Sequence, residues 1–286
     1  VTHFVSGLFL SRPRCFDCCP IRAKVNFLYW SLCHIHSPSY ILLFTFLFEY
    51  VYTVHSVSLN NADYTATNEV FDVGITTKYA LMRYWNDKID ATKCGGTSLS
   101  ENGNGSLMRM LPIALYCYYK KLKDKEILET ISKVSSITHA HEISIMGCYI
   151  YVRYVMFLLY GKDKLVAYSM IKCLDYSMFS KEKNTIYERI LKEDISKFDL
   201  NDIKSSGYIV ETLETVLWVI LNCNNYNESV IGAVNLGGDT DTIGAITGSI
   251  AGILYGYNNI NANWLAKLRN KECLDKIIEE FEFTFN

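Results

Sequence analysis

The chain carries NLGGDTDTIGAITGSIAG at residues 235–252, an apolar helical run that follows two glycines and two carboxylates. Gly244, Gly248 and Gly252 recur every fourth residue and therefore share one face of a helix. Each of them costs about 1 kcal/mol relative to alanine in a helix interior. This cost predicts a central, buried helix whose glycine face lies very close to another segment.

Oxygen-bearing side chains cluster where this helix begins. The Gly-Gly pair permits a turn with positive φ, and Asp241 or Thr242 is a suitable N-cap for a helix that begins near Ile243. The simplest interpretation is that Asp241 only caps the helix and that Asp239 is a solvated loop residue. Two carboxylates at a buried helix mouth would leave charge uncompensated unless a cation is present. Because oxygen ligands suit Mg²⁺ or Mn²⁺, we predict that Asp239, Asp241 and Thr242 are metal ligands.

Composition places the chain among globular proteins. Half of its 286 residues are hydrophobic, which is enough for one large domain or two small ones. The net charge of −2 provides no general attraction to nucleic acid. From Cys94 onward the cysteines are at least 23 residues apart, so no disulfide framework is indicated there. A reducing compartment, the cytoplasm, is therefore expected.

Residues 1–64 have a different composition from the rest of the chain. The first 60 residues hold three of the four prolines, four of the six histidines and four of the ten cysteines. We expect 1–64 to be an atypical leader that is aberrant, disordered or membrane-associated. The apolar run 40–54 is interrupted by Glu49 and is shorter than the roughly 20 residues that span a bilayer. It is nevertheless a candidate for membrane contact.

Helical periodicity dominates from about residue 65 to residue 286, where no strand-period alternation persists. We therefore predict an all-α fold, with 65–286 as one helical domain that is incomplete at its N-terminal end. The predicted helices fall within 71–85, 106–122, 125–140, 142–160, 162–198 as a peripheral pair, 205–220, 228–234, 243–256, 264–268 and 273–281.

A polar loop, 93–105, precedes the second predicted helix. That helix runs from Ser106 to Leu122, and Pro112 is tolerable only in its first turn. The loop therefore brings 102–106 to a helix N-terminus, where backbone N–H groups and the helix dipole favour a phosphate group. Because Gly-Asn-Gly is also a common loop sequence, a purely structural turn is the alternative.

Four segments in this order resemble the ADP-ribosylglycohydrolase family. They are FDVGITT (71–77), ENGNGSLMRMLPIAL (101–115), ITHAHE (137–142) together with SGYIVETLE (206–214), and VNLGGDTDTIGAITGSIAGILYG (234–256). The resemblance covers residues from about 65 to 286. The last motif is long and specific, and the second is nearly so.

The resemblance implies a compact all-helical fold with a binuclear Mg²⁺ or Mn²⁺ site at the bottom of a cleft. It also implies hydrolysis of the bond between C1″ of ADP-ribose and an acceptor, which is an ADP-ribosylated protein or an ADP-ribose-containing small molecule. Asp239, Asp241 and Thr242 match metal ligands, and Asp241 matches the ligand shared by both ions. Residues that match the ADP-ribose-binding positions are Gly103, Asn104, Gly105, Ser106, Leu107, Met108, Arg109, His139, Gly207 and Tyr208.

One family feature is not found in the sequence. Members usually carry an N-terminal Thr-Asp-Asp-Thr motif that supplies the other half of the metal site and a catalytic acid. The only acids in 1–64 are Asp17, Glu49 and Asp63, so the catalytic residues are not identified. The leading hypothesis is a metal-dependent ADP-ribosyl hydrolase. The alternatives are a catalytically inactive ADP-ribose-binding module and a helical protein that its leader tethers to a membrane.

Overall fold

The structure is a computed structural model that describes residues 73–268 and 271–283. The expected leader 1–64 and its apolar run 40–54 lie outside the described residues, as do the first two residues of the motif 71–77.

The described residues form α-helices joined by turns and short 3₁₀ segments. Two isolated β-bridges join Gly96 to His139 and Gly103 to Tyr208, and no longer strand occurs in 73–268 or 271–283. The all-α prediction is therefore confirmed. The helices are α1 Ile75–Asp87, α2 Met110–Tyr119, α3 Asp124–Ser136, α4 Glu142–Leu159, α5 Lys164–Lys172, α6 Lys181–Ile186, α7 Glu188–Leu191, α8 Ile209–Asn222, α9 Tyr226–Asn235, α10 Thr240–Tyr255, α11 Ala262–Ala266 and α12 Lys271–Phe283.

Helix α4 lies in the middle of the hydrophobic core. It packs against α2, α3, α5 and α8, and Tyr151 and Tyr154 are among its fully buried side chains. In length and apolar composition it resembles a membrane-spanning helix, but 83% of it is buried inside the protein. The apolar surface of α4 is therefore explained by packing against neighbouring helices.

Helix α10 is the central helix that the glycine spacing predicts. Gly244, Gly248 and Gly252 are all buried, and α9 and α8 pack against α10. The helix begins at Thr240, three residues before the expected start near Ile243. That another segment lies very close to the glycine face of α10 remains a prediction.

The region 162–198 differs from the expected peripheral pair of helices. It contains three short helices, α5, α6 and α7, and a turn between the first two in which Asp175 accepts a hydrogen bond from the N–H of Ser177. Arg189 of α7 donates to both carboxylate oxygens of Glu214 on α8, at 2.8 and 2.9 Å. This bidentate ion pair attaches the short helices to the core.

Candidate functional site

The turn before α10 sets the position of the two aspartates. Gly237 and Gly238 have φ angles of 77° and 63°, as the Gly-Gly pair predicts. A Cβ atom at Gly238 would lie 2.0 Å from the carbonyl oxygen of Ser205. The same carbonyl accepts a hydrogen bond from the N–H of Asp239 at 2.8 Å. The turn is therefore held directly against the backbone that leads into α8.

Asp239 occupies the N-cap position of α10, so the expected N-cap at Asp241 or Thr242 is wrong. Asp239 makes no side-chain capping bond, because its carboxylate is engaged elsewhere. Its Oδ2 atom accepts a hydrogen bond from Nδ2 of Asn104 at 2.7 Å. The aspartate therefore joins the start of α10 to the polar loop that precedes α2.

Asp241 lies beside Asp239 in the first turn of α10. The residue is exposed and Asp239 is half-buried, so the expected burial of this helix mouth is not observed for Asp241. Partial desolvation of the Asp241 carboxyl and then the neighbouring Asp239 carboxylate raise its pKa, although the N–H of Thr242 donates to it. Two carboxylates in such proximity favour a shared proton or a cation.

Thr242, the third predicted ligand, is buried, and its hydroxyl donates to Sδ of Met108 at 3.6 Å. The structure therefore brings Asp239 and Asp241 together and turns the Thr242 hydroxyl toward the loop before α2. Within 73–268 and 271–283 no group of three His, Cys, Asp or Glu side chains is arranged to hold a metal ion. The donors assembled in these ranges are thus two carboxylates with a nearby hydroxyl.

Asn104 is the residue through which three of the quoted motifs meet. Its Nδ2 atom donates to Oγ1 of Thr212 at 2.9 Å as well as to Asp239. Its N–H donates to the carbonyl of Gly207 at 2.9 Å, and Gly103 forms a β-bridge with Tyr208. The predicted binding residues Gly103, Asn104, Gly207 and Tyr208 therefore lie next to one another at the carboxylates.

The next predicted binding residues, Ser106 to Arg109, turn toward the interior. Ser106 and Leu107 are buried, and a 3₁₀ turn, Leu107–Arg109, precedes α2, so that Pro112 lies in the first turn as expected. The guanidinium of Arg109 is buried against the end of α3. Its acceptors include the carbonyls of Gly105 at 3.0 Å, Val134 at 3.0 Å and Ser135 at 3.2 Å, and Oγ1 of Thr138 at 2.6 Å.

His139 lies under the glycine loop. A Cβ atom at Gly105 would come within 2.9 Å of its Cε1 atom, and one at Gly103 within 3.5 Å of its Nε2 atom. Burial, followed by the positive charge of Arg109, lowers the pKa of His139 to about 3, and Glu101 opposes this shift. His139 is therefore a neutral ring in contact with the loop.

Sequence reasoning did not single out several residues that build this site. Thr138 contacts both Arg109 and His139, Thr212 accepts from Asn104, and Ser205 holds the Gly-Gly turn. Thr138 and Thr212 lie inside quoted motifs, so their hydroxyls were visible in the sequence. Their partners were not, because these lie on other elements of the fold.

Comparison with known proteins matches the chain to one family. A family model described as ADP-ribosylglycohydrolase matches residues 28–284, a range that begins within 1–64. A solved structure titled "ADP-ribosylglycohydrolase-related protein complex" shares the fold with a TM-score of 0.64 and 19% identity, over 99% of this chain and 93% of that one.

Curated relatives agree with that match. The ADP-ribosylarginine hydrolase Tri1 of Serratia proteamaculans is 30% identical over 219 residues, which are 76% of this chain and 56% of the relative. The ADP-ribosyl-[dinitrogen reductase] glycohydrolase of Rhodospirillum rubrum is 33% identical over 201 residues, 70% of this chain and 61% of the relative. The chain thus spans somewhat more than half the length of these relatives. Since the family model matches most of its residues, the chain belongs to the ADP-ribosylglycohydrolase family.

Proposed function

We propose that this protein hydrolyses the glycosidic bond between ADP-ribose and an acceptor on a protein, with Mg²⁺ or Mn²⁺ as cofactor. The observation that carries the proposal is the pair of hydrogen bonds by which Asn104 joins Thr212 to Asp239. Through them the loop, the start of α8 and the carboxylates of α10 form one site. The names of the relatives specify ADP-ribosylarginine and dinitrogen reductase, so an arginine-linked substrate is the first to test.

The donor set suits a hard divalent cation. Asp239 and Asp241 supply carboxylate oxygens at the start of one helix, and their mutual repulsion contributes to the raised pKa of Asp241. A cation bound between them would relieve that repulsion. The Thr242 hydroxyl joins the set if it turns away from Met108. When bound, such an ion orients sugar hydroxyls and lowers the pKa of a coordinated water.

The loop supplies a site for the phosphates of ADP-ribose. Gly103 and Gly105 are partly exposed residues of the turn that precedes α2, whereas Ser106 and Leu107 behind them are buried. The phosphates would therefore lie against the exposed glycine backbone, near the positive end of the first turn of α2. This assignment agrees with the role of Arg109, whose guanidinium donates its hydrogen bonds to carbonyl groups of the protein itself.

The remaining residues orient the sugar for cleavage. Glycosidic bonds break through an oxocarbenium-like transition state, so the ribose must be held firmly while water approaches. Gly103 and Gly105 present bare backbone above His139, and Gly207 lies against Oδ2 of Asp239. The ribose would therefore lie at the glycine loop, beside the carboxylates of α10.

The test is release of ADP-ribose from an ADP-ribosylarginine peptide in the presence of Mg²⁺ or Mn²⁺. We expect release by the wild-type chain, loss of release on chelation, and loss in Asp241→Ala. Glu129→Ala is the control, because Glu129 is an exposed residue of α3 that pairs with Lys133. Wild-type release that does not exceed that of Asp241→Ala would contradict the proposal.

A second candidate is an ADP-ribose-binding module without hydrolytic activity. It is favoured by the finding that only two carboxylates meet at this site within the described residues. Calorimetry with ADP-ribose separates the two functions. Binding without any release from the peptide supports the module, whereas cation-dependent release rejects it.

A further inference from the structure

Thr138 lies between a buried cation and a buried imidazole. Its Oγ1 atom accepts a hydrogen bond from Nη2 of Arg109 at 2.6 Å and lies 2.7 Å from Nδ1 of His139. Thr138 is fully buried and His139 is 3% exposed. The three side chains thus form a row from Arg109 to the glycine loop.

The direction of the second hydrogen bond follows from the first. A guanidinium only donates, so the Thr138 hydroxyl is an acceptor toward Arg109 and keeps its own proton for another partner. Among the described residues, Nδ1 of His139 is the acceptor within reach of that proton. If Nδ1 carried a hydrogen instead, the Thr138 proton would be buried without an acceptor, which is costly. Thr138 therefore donates to Nδ1.

The state of the ring follows from this direction. Burial of the ring, followed by the positive charge of the Arg109 guanidinium, lowers the pKa of His139, so the imidazole is neutral. A neutral ring that accepts at Nδ1 carries its hydrogen on Nε2. The Nε2–H group is then a hydrogen-bond donor.

The Nε2 atom faces the loop that we assign to ADP-ribose. It would lie 3.5 Å from a Cβ atom at either Gly103 or Gly105. No described group accepts a hydrogen bond from it. The ring nitrogen is thus a donor held at the loop without a protein partner.

We propose that Thr138, held by Arg109, is a positioning residue that sets His139 as the Nε2–H tautomer, so that the ring donates to an oxygen of the ligand at the Gly103–Gly105 loop. The proposal rests on the proposed function for the identity of that ligand. The tautomer itself is a property of the ligand-free protein and is measured separately.

The first measurement is the tautomer in the full chain labelled with ¹⁵N-histidine. Two-bond ¹H–¹⁵N correlation spectra distinguish a protonated from an unprotonated ring nitrogen. His139 is recognised as the ring whose signals do not titrate above pH 5, because its pKa is about 3. We expect Nε2–H in the wild type and in Thr138→Ser. A wild-type Nδ1–H tautomer would overturn the proposal whether or not ADP-ribose binds.

The second measurement is ADP-ribose affinity by calorimetry. Thr138→Val removes the hydroxyl, and we expect Nε2–H to be lost as the main tautomer and affinity to fall about tenfold. Thr138→Ser should restore both. The matched control is Thr130→Val, a buried threonine of α3 whose hydroxyl donates to the Glu126 carbonyl.

The outcomes separate the two proposals. No binding of ADP-ribose by the wild type would reject the proposed function and the ligand contact, while the spectra would still decide the tautomer. Wild-type binding together with equal affinity for Thr138→Val and Thr130→Val would overturn the role of Thr138. Circular dichroism would show whether Thr138→Val fails to fold. In that case the proposal is tested by the His139 tautomer in the wild type and by the tautomer and ADP-ribose affinity of Thr138→Ser.

Discussion

The Nδ2 atom of Asn104 lies 2.7 Å from Oδ2 of Asp239, although 135 residues separate them in the chain. The amide also donates to Thr212, whose own hydroxyl donates to the carbonyl of Ser206. Because both amide hydrogens are used, the orientation of Asn104 is determined by its partners. Asn104 therefore supports a carboxylate at the start of α10, in addition to its place in the proposed ADP-ribose loop.

Replacing the amide of Asn104 by a carboxylate tests whether Asn104 stabilises the carboxylate of Asp239. Asn104→Asp would set a buried carboxylate against the half-buried carboxylate of Asp239, so we expect the free energy of unfolding to fall by about 2 kcal/mol. Urea denaturation at pH 7 with a chelator measures it without metal. The control is Asn201→Asp, since Asn201 donates to Asp199 at 2.7 Å in an exposed pair. Equal losses in both variants would contradict the argument.

The two glycines of the turn before α10 are expected to differ in their tolerance of alanine. Both have positive φ, but a Cβ atom meets nothing within 4 Å at Gly237, whereas at Gly238 it would overlap the Ser205 carbonyl. Gly237→Ala should cost about 1 kcal/mol from the backbone conformation. Gly238→Ala should cost about 3 kcal/mol, because the turn must also move away from Ser205. Thermal and urea unfolding measure both, and similar values would reject the close approach.

Arg109 is expected to behave as a structural cation. Arg109→Met leaves the carbonyls of Gly105 and Val134 and the Thr138 hydroxyl without their donor, so stability should fall by about 3 kcal/mol. Arg109→Lys should restore little of it, because an ammonium does not reach acceptors on both sides as a planar guanidinium does. Lys133→Met on α3 is the control, since Lys133 is paired with the exposed Glu129. Full rescue by lysine would contradict the assignment.

The depressed pKa of His139 predicts how stability depends on pH. The folded-state pKa is about 3, and the unfolded value is about 6.5, so between these values the unfolded chain binds the extra proton. The contribution of His139 to the free energy of unfolding is therefore fully present above about pH 6.5. It is lost as the pH is lowered, by up to about 1.4 kcal/mol per pH unit. His139→Gln should remove this part of the slope between pH 6.5 and 4.

The control for that experiment is His141→Gln. Burial, followed by the charge of Lys183, lowers the pKa of His141, but this ring is only half-buried. Its substitution should change the pH slope less than that of His139. Unfolding in urea at several pH values compares the three proteins, and parallel slopes for wild type and His139→Gln would show that the ring is not held neutral.

Local patterns predicted most of the helices. The apolar spacing of 106–122, the apolar length of 142–160 and the glycine spacing of 243–252 each correspond to an observed helix, α2, α4 and α10. These patterns repeat within a few residues, and helix formation responds to that spacing. Where turn-forming polar groups interrupt the pattern, as at Asp175, the expected peripheral pair became three short helices.

Patterns of residue type were less informative about the roles of individual side chains. The motifs identified Asp239, Asp241 and Thr242 as a group, but capping was assigned to the wrong residue. The reason is that the carboxylate of Asp239 bonds Asn104 instead of its own helix. Likewise the resemblance places Arg109 among the ADP-ribose-binding positions, and only the structure shows that its guanidinium donates to carbonyls at the end of α3.

From the amino-acid order alone follow the all-helical class, the family, the glycine turn and the two carboxylates at the start of α10. All of these depend on residue type and short spacing along the chain. The tertiary structure was needed to show that Asn104 holds Asp239, that Arg109 is used internally and that Thr138 faces His139. These roles depend on hydrogen-bond directions in a desolvated interior, and a donor's choice among acceptors there is set by the atoms that packing brings within reach.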